Sequence, residues 1–114
     1  MKKIVKLSAL LICAGLLLSG CSNAKKDYIL ATGGTGGTYY PFGGAIANIW
    51  NTKIENMNVT AQATGASAEN LRLINKGEAE YAIVQNDVMD YAYNGTDLFE
   101  GEKLENIMTI GTLY

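Results

Sequence analysis

The sequence predicts an α/β fold with a mostly parallel sheet, and three observations support this. Short apolar runs typical of buried strands alternate with segments whose apolar residues recur at helical spacing. Junctions rich in glycine or hydroxyl side chains separate the first strands from the helices that follow them. The resulting order, βαβαβαβ, favours parallel strands joined by right-handed crossovers.

The first predicted strand covers residues 28–32, a short apolar run that ends at a pair of glycines. Six of the thirteen glycines then fall between Gly33 and Gly44. Apolar residues recur at helical spacing after this loop: Phe42, Ala45, Ile46, Ile49 and Trp50. We expect Thr38 to cap this first helix, with Pro41 in its first turn.

Gly43 and Gly44 lie inside the first turns of this predicted helix. Each would destabilise a helix interior by roughly 1 kcal/mol relative to Ala. Their presence is explained if a backbone segment or a ligand approaches the helix closely there.

The second strand is predicted at residues 58–64, where apolar and polar residues alternate. Ser67 is suited to cap a second helix, which Gly77 would end. A third strand is predicted at residues 81–85, and Asp87 is suited to cap the helix that follows.

An Asn94-Gly95 turn ends the third predicted helix, and the apolar residues 107–113 are predicted to form a fourth strand. The sequence stops within that apolar stretch, without a polar tail. We therefore expect it to be the beginning of a longer protein.

Residues 1–20 are expected to be a removable lipoprotein signal peptide. Lys2 and Lys3 open a positive segment, and residues 7–18 form an uncharged stretch. As a helix this stretch would span about 18 Å, which is short of the roughly 30 Å hydrocarbon core of a bilayer. The stretch is therefore interpreted as the apolar part of an export signal rather than a membrane anchor.

Residues 18–21 (LSGC) resemble a bacterial lipobox, in which the thiol of Cys21 would carry a diacylglycerol. The alternative is an ordinary secretory signal followed by a chance cysteine. The lipobox predicts a lipidated N-terminus and tether at residues 21–27, and a protein anchored outside the cytoplasm by lipid. Cys13 would be lost with the signal peptide.

Composition disfavours several classes of protein. Without residues 1–20 the chain keeps 94 residues, with six basic and eleven acidic side chains and a net charge of −5, so a nucleic-acid partner is not expected. The chain has no His, and both Cys residues lie within residues 1–21. Metal sites, His-dependent catalysis and a disulfide scaffold are disfavoured for that reason.

Nucleotide-binding motifs are also missing from the sequence. The glycines at residues 33–37 do not follow G-x-G-x-x-G, because the third position is Tyr39, and no Gly-Lys-Ser/Thr follows. A small nucleotide-dependent enzyme is therefore disfavoured, and no cofactor is expected.

Three strand-to-helix junctions could form a site: residues 33–40, 65–70 and 85–87. In open α/β sheets, ligands bind beyond the carboxyl ends of the strands. Helix N-termini attract anions there, and the hydroxyl and amide side chains of these junctions suit a small carboxylate. The alternatives remain open: in them the glycines form only a tight turn, and Ser67 and Asp87 only cap helices.

Three segments resemble motifs of the TAXI family of TRAP-transporter solute receptors. They are residues 31–41 (ATGGTGGTYYP), residues 63–67 and 69–72 (ATGAS and ENLR), and residues 85–87 and 91–95 (QND and YAYNG). Their order and spacing agree with the family, and the lipobox agrees with an extracytoplasmic receptor.

The resemblance implies a type II periplasmic-binding-protein fold, in which two α/β lobes close on a small ligand. Residues 28–114 would then be an incomplete, truncated first lobe, because members of the family are much longer. The receptor would capture glutamate or another small carboxylate, such as a dicarboxylate, and deliver it to the TRAP permease subunits in the membrane. The resemblance places these residues against the ligand: Gly36, Gly37, Thr38, Tyr39, Tyr40, Gly65, Ala66, Ser67, Asn70, Gln85 and Asp87.

No catalytic residue and no metal is implied, so the chain is not expected to be an enzyme. The competing hypothesis is a truncated surface lipoprotein, an antigen or pseudogene product, that binds no ligand. An in-frame second lobe downstream of Tyr114 would favour the receptor, whereas a stop codon would favour the fragment.

Overall fold

The protein is described by a computed structural model over residues 24–113. Within this range, three strands alternate with three α-helices, so the predicted α/β fold is confirmed. The elements are β1 (Lys26–Ala31), α1 (Tyr39–Lys53), β2 (Met57–Gln62), α2 (Ser67–Lys76), β3 (Tyr81–Ala82) and α3 (Asn86–Asn94). The predicted signal peptide (residues 1–20) and Cys21 lie outside the described residues. Of the predicted tether at residues 21–27, the last two residues already belong to β1.

The three strands form an open parallel sheet in the order β2-β1-β3. Lys26 lies opposite Met57 at the start of the β1–β2 ladder, and Ala31 lies opposite both Gln62 and Ala82 where the two ladders end. The chain passes from β1 to β2, which lies on one side of β1 in the sheet. It then crosses back over β1 to β3, which lies on the other side. Right-handed crossovers therefore place α1 and α2 on opposite faces of the sheet.

Two separate hydrophobic clusters agree with this arrangement. The first lies between α1 and the sheet and contains Leu30, Ala47, Met57, Val59 and Ile83. The second joins α2, α3 and the segment that follows them, and contains Leu71, Val88, Ala92, Phe99, Leu104 and Ile107. The first cluster thus packs a helix onto the sheet, whereas the second contains no strand residue and packs α2 and α3 against the segment that follows.

Close packing explains one of the two glycines inside α1. A Cβ atom added at Gly43 would collide with the methyl group of Thr32 and would lie 3.5 Å from Ile83 Cδ1. The helix can therefore approach the end of β1 only because residue 43 has no side chain. A Cβ added at Gly44 would have no atom of another described element within 4 Å, so no backbone segment approaches the helix there, and an approach by a ligand stays a prediction.

The helix starts differ from the predicted caps. Thr38 occupies the N-cap position of α1 but makes no capping hydrogen bond with its side chain. Ser67 is the first residue of α2 rather than its cap, because the chain enters the helix through Ala66 at a φ of 69°. Asp87 is the second residue of α3, after Asn86, and Gln85 takes the cap position. The predicted capping roles of Ser67 and Asp87 are therefore wrong.

The helix ends follow the sequence more closely. Gly77 and Gly95 end α2 and α3 in the left-handed conformation, each with a φ of 70°. Glycine has no Cβ atom to resist this conformation, which is why it commonly follows the last turn of a helix.

The predicted fourth strand at residues 107–113 is wrong. A 3₁₀ turn (Asp97–Phe99) follows α3, and the structure describes no strand after it. Ile107 is buried in the second cluster, but Met108 and Ile110 are 83% and 76% exposed. No described strand lies alongside this segment, and a strand requires the backbone hydrogen bonds of a neighbour.

Charged side chains hold the segment after α3. Arg72 Nε donates to Glu102 at 2.9 Å, and the Arg72 guanidinium lies 4.5 Å from the centre of the Phe99 ring. Further along, Lys103 Nζ lies 2.9 Å from Glu105. This hydrogen bond and the opposite charge raise the pKa of Lys103 and lower the pKa of Glu105.

Over the described part of the chain, no helix has the length and apolar character needed to cross a membrane.

Candidate functional site

An open depression of about 310 Å³ lies beyond the carboxyl ends of the strands. All three predicted junctions contribute to it. Its lining consists of Gly33, Gly34, Gly37, Thr38, Tyr39, Ala66 and Gln85. The parallel sheet produces this convergence, because it brings the ends of all its strands to one edge.

The glycine-rich loop leaves its backbone uncovered beside the depression. At Gly34 and Gly36, an added Cβ atom would have no described atom within 4 Å. Neither glycine has a positive φ, so turn geometry does not require glycine there. Side chains at these positions would project into the open space beside the loop, so glycine leaves the backbone accessible from that side.

The loop before α2 has a strained backbone. Ala66 has φ 69° and ψ −152°, a combination that is found almost only at glycine. Two side chains hold the loop in place: Thr64 Oγ1 accepts a hydrogen bond from the Ala66 N–H at 3.1 Å, and Glu69 Oε2 accepts one from the Gly65 N–H at 2.6 Å. The strain at the lining of the depression is therefore sustained by specific polar contacts.

The N-terminus of α2 offers free hydrogen-bond donors at the edge of the depression. The backbone N–H groups of Ser67, Ala68 and Glu69 have no acceptor among the described residues. The N-termini of α1 and α3 begin at the same end of the sheet, after Thr38 and Gln85. Three helix dipoles therefore present their positive ends to one region.

The described lining itself carries no formal charge, and the nearest carboxylate named above, that of Glu69, is bonded to the Gly65 N–H beside it. Among the described lining residues there is no carboxylate, amine or guanidinium. The part of the chain that is described also contains no group of His, Cys, Asp or Glu that could hold a metal ion. Such a surface can bind a small anion through N–H groups and can add hydrogen bonds from Thr38 and Gln85.

Ser67 joins the second and third junctions. Ser67 is only 4% exposed, and its Oγ accepts a hydrogen bond from the Gln85 N–H at 2.9 Å. This contact fixes the start of α3 against the start of α2. A serine before an apolar helix suggested a cap, and only the fold could reveal that its partner lies 18 residues away.

Asn70 lies behind the lining and has no exposed surface. Its Nδ2 donates to the carbonyl oxygens of Thr32 and Ile83, at 2.6 Å and 2.8 Å. Its Oδ1 accepts a hydrogen bond from Thr64 Oγ1 at 2.6 Å. The amide is therefore engaged by protein atoms from all three strand ends.

The predicted ligand-binding residues fall into three groups. Those that line the depression are Gly37, Thr38, Tyr39, Ala66 and Gln85. Those outside the lining that are exposed or half-buried are Gly36, Tyr40, Gly65 and Asp87, and the two buried behind it are Ser67 and Asn70.

The prediction of site residues omitted Gly33 and Gly34, which also line the depression and belong to the same glycine-rich run. It also missed Thr32 and Thr64, whose role depends on contacts with Asn70 that sequence spacing does not show.

The sequence of the chain matches the model of the NMT1-like family over residues 30–114. The chain belongs to the NMT1-like family. This is a periplasmic-binding-protein-like family, so membership indicates a solute-binding role in general. The match covers all three loops around the depression, from the end of β1 onwards. Ligands of open α/β sheets bind beyond the carboxyl ends of the strands, so the depression is the candidate ligand site of this NMT1-like protein.

Proposed function

We propose that this NMT1-like protein is the solute receptor of a TRAP-type secondary transporter, of the TAXI family. It captures a small carboxylate, such as glutamate or a dicarboxylate, and delivers it to the permease subunits in the membrane. The observation that carries the proposal is the convergence of three helix N-termini on a depression whose described lining has no charged side chain.

The motifs that resemble the TAXI family support this narrower assignment. The segments at residues 31–41, 63–67 and 85–87 are separated along the sequence, yet each contributes lining residues to the same depression. The parallel sheet accounts for their meeting at one edge, so the support for the TAXI family comes from the likeness of the motifs themselves.

A carboxylate fits the chemistry of this surface. Its oxygens accept hydrogen bonds, and the free N–H groups at the start of α2 can donate them. The hydroxyl group of Thr38 and the side-chain amide of Gln85 supply further donors at the lining. In this role the protein binds and releases its ligand unchanged, so we propose a receptor and not an enzyme.

The proposed receptor acts outside the cytoplasm, anchored by a lipid on Cys21. The LSGC sequence at residues 18–21 supports this location. The anchor would keep the receptor near the permease, which raises their effective concentration without any added contact between the two proteins.

Thermal unfolding with added ligands tests the proposal. The unfolding temperature of the chain is measured with millimolar glutamate, 2-oxoglutarate or succinate. We expect at least one of them to raise it, because a ligand that binds only the folded state stabilises that state by mass action.

The matched control is succinamide, which has the size of succinate but carries no charge. It should leave the unfolding temperature unchanged, as should sodium chloride at equal ionic strength. A folded chain that responds to no carboxylate, or that responds equally to succinamide, would contradict the proposal.

A further inference from the structure

The sheet ladder ends just before the depression, and a side chain takes over from it. The last paired residues of β1 and β3 are Ala31 and Ala82, and the Ile83 N–H still donates to the Ala31 carbonyl at 3.0 Å. Beyond this point the carbonyls of Thr32 and Ile83 both accept hydrogen bonds from Asn70 Nδ2. The Asn70 amide thus joins the two segments where they leave the sheet.

The same amide also holds the loop after β2. Asn70 Oδ1 accepts a hydrogen bond from Thr64 Oγ1, and that hydroxyl oxygen in turn accepts one from the Ala66 N–H. One side chain is therefore bonded to the segments that lead into all three loops. Ala66 lines the depression, and Thr32 and Ile83 lie directly before or near lining residues.

Burial separates Asn70 from the ligand surface. The residue has no exposed area and is absent from the lining of the depression. No buried side-chain nitrogen or oxygen in the described residues lacks a hydrogen-bond partner, so the amide needs no ligand to complete its bonding. An apolar side chain of similar size would leave two buried carbonyls without this donor.

We infer that Asn70 is a positioning residue: its amide sets the spacing of the three loops around the depression, and it does so without contacting the ligand. This replaces the direct ligand contact predicted from the sequence. The effect on ligand affinity rests on the proposed function, whereas the effect on loop spacing does not.

The test replaces Asn70 with Asp in the full chain and follows amide hydrogen exchange. Asp has nearly the same shape and can still accept from Thr64, but it presents an oxygen to the two carbonyls in place of the donor. We expect the amides of Thr64, Ile83 and Gln85 to exchange about tenfold faster or more, because two hydrogen bonds are lost.

The matched control is Asn75→Asp, on the same helix. Asn75 is exposed and makes no side-chain hydrogen bond among those of the described residues. Its replacement adds the same charge to α2, so it should leave exchange at the three loops unchanged.

A pH series separates positioning from simple space filling. At low pH the buried Asp side chain becomes protonated and can again donate one hydrogen bond. Protection at the loop amides, corrected for the intrinsic pH dependence of exchange, should then return in part in Asn70→Asp and stay constant in Asn75→Asp.

Two results would overturn the inference. One is a folded Asn70→Asp chain whose loop amides exchange at the original rate. The other is an equal acceleration at amides remote from the loops, such as Ala47 in α1, which would indicate a general loss of stability. If Asn70→Asp does not fold, Thr64→Val tests the attachment of the second loop alone, because it removes the bonds of the Thr64 hydroxyl to Asn70 Oδ1 and to the Ala66 N–H. Unchanged exchange at the Thr64 amide in that variant would then overturn the inference.

Ligand binding is measured separately, by calorimetric titration with glutamate. If the unaltered chain binds glutamate, Asn70→Asp should weaken binding about tenfold and Asn75→Asp should not change it. Equal binding by all three chains would overturn the inference about affinity. If no chain binds any carboxylate, the proposed function fails, while hydrogen exchange still decides the role of Asn70.

Discussion

Adjacent glycines in α1 have different physical roles. Gly43 is buried against Thr32 and Ile83 at the end of the sheet, whereas no described atom lies near the position of a Cβ at Gly44. The sequence predicts both as exceptions to helix propensity but cannot distinguish them. The distinction depends on which side of the helix faces the sheet.

Gly43→Ala is predicted to destabilise the protein by about 1–3 kcal/mol, the usual effect of overpacking a well-packed interior. The Thr32 side chain cannot easily move away, because its Oγ1 donates to the Gln62 carbonyl at 2.6 Å. Gly44→Ala is the control and should stabilise the helix by about 0.5–1 kcal/mol. Urea unfolding of both variants measures the two changes, and equal effects would contradict the assignment.

Ala66 is predicted to gain stability when it is replaced by glycine. Its φ of 69° and ψ of −152° lie in a region that costs a residue with a side chain about 1–3 kcal/mol. We expect Ala66→Gly to raise the free energy of unfolding by about 1 kcal/mol. This net gain is the strain that is relieved minus the extra backbone entropy that glycine loses on folding.

Ala68→Gly, in the first turn of α2, is the control for this prediction. It should lower the free energy of unfolding by about 1 kcal/mol, as glycine does inside a helix. A loss of stability in Ala66→Gly of the same size as in Ala68→Gly would show that Ala66 is not strained.

At the scale of the elements, helix ends were easier to predict from sequence than helix starts. Gly77 and Gly95 end their helices as expected, because their role depends only on local backbone conformation. Ser67 and Asp87 belong to residue types that cap helices well, yet both lie inside helices in the structure. For Ser67 the competing partner is the Gln85 N–H, a contact between two elements.

Ser67→Ala is predicted to loosen the attachment of α3 to α2 and to weaken ligand binding. The change removes the acceptor of the Gln85 N–H, and a hydrogen bond of this kind contributes about 1 kcal/mol to stability. Because Gln85 lines the depression, its displacement should raise the Kd of the ligand identified by thermal unfolding. Titration calorimetry measures that constant, and an unchanged Kd would limit Ser67 to a structural role.

At the scale of the whole molecule, the order of strands and helices and the meeting of three junctions could be predicted from alternation alone. The fourth strand was predicted wrongly, because residues 107–113 are apolar but the described chain offers them no neighbouring strand. The buried role of Asn70 also escaped prediction. Its three partners are the ends of different strands, and their proximity exists only after folding.

Lipid attachment is predicted to depend on Cys21 and not on Cys13. Only Cys21 follows the small residues of the LSGC sequence, which a signal peptidase would require. In a bacterial host fed with labelled palmitate, Cys21→Ser should abolish labelling of the protein and release it from the membrane fraction. Cys13→Ser should keep both, and labelling that persists in Cys21→Ser would contradict the prediction.

The neutral lining of the depression has a consequence for proton exchange with the solvent. The chain contains no His, and the described lining has no carboxylate or amine that could gain or lose a proton as a ligand arrives. Backbone N–H groups keep their protons throughout the ordinary range of acidity. Capture of an anion at this surface would therefore involve no proton exchange with a lining side chain near neutral pH.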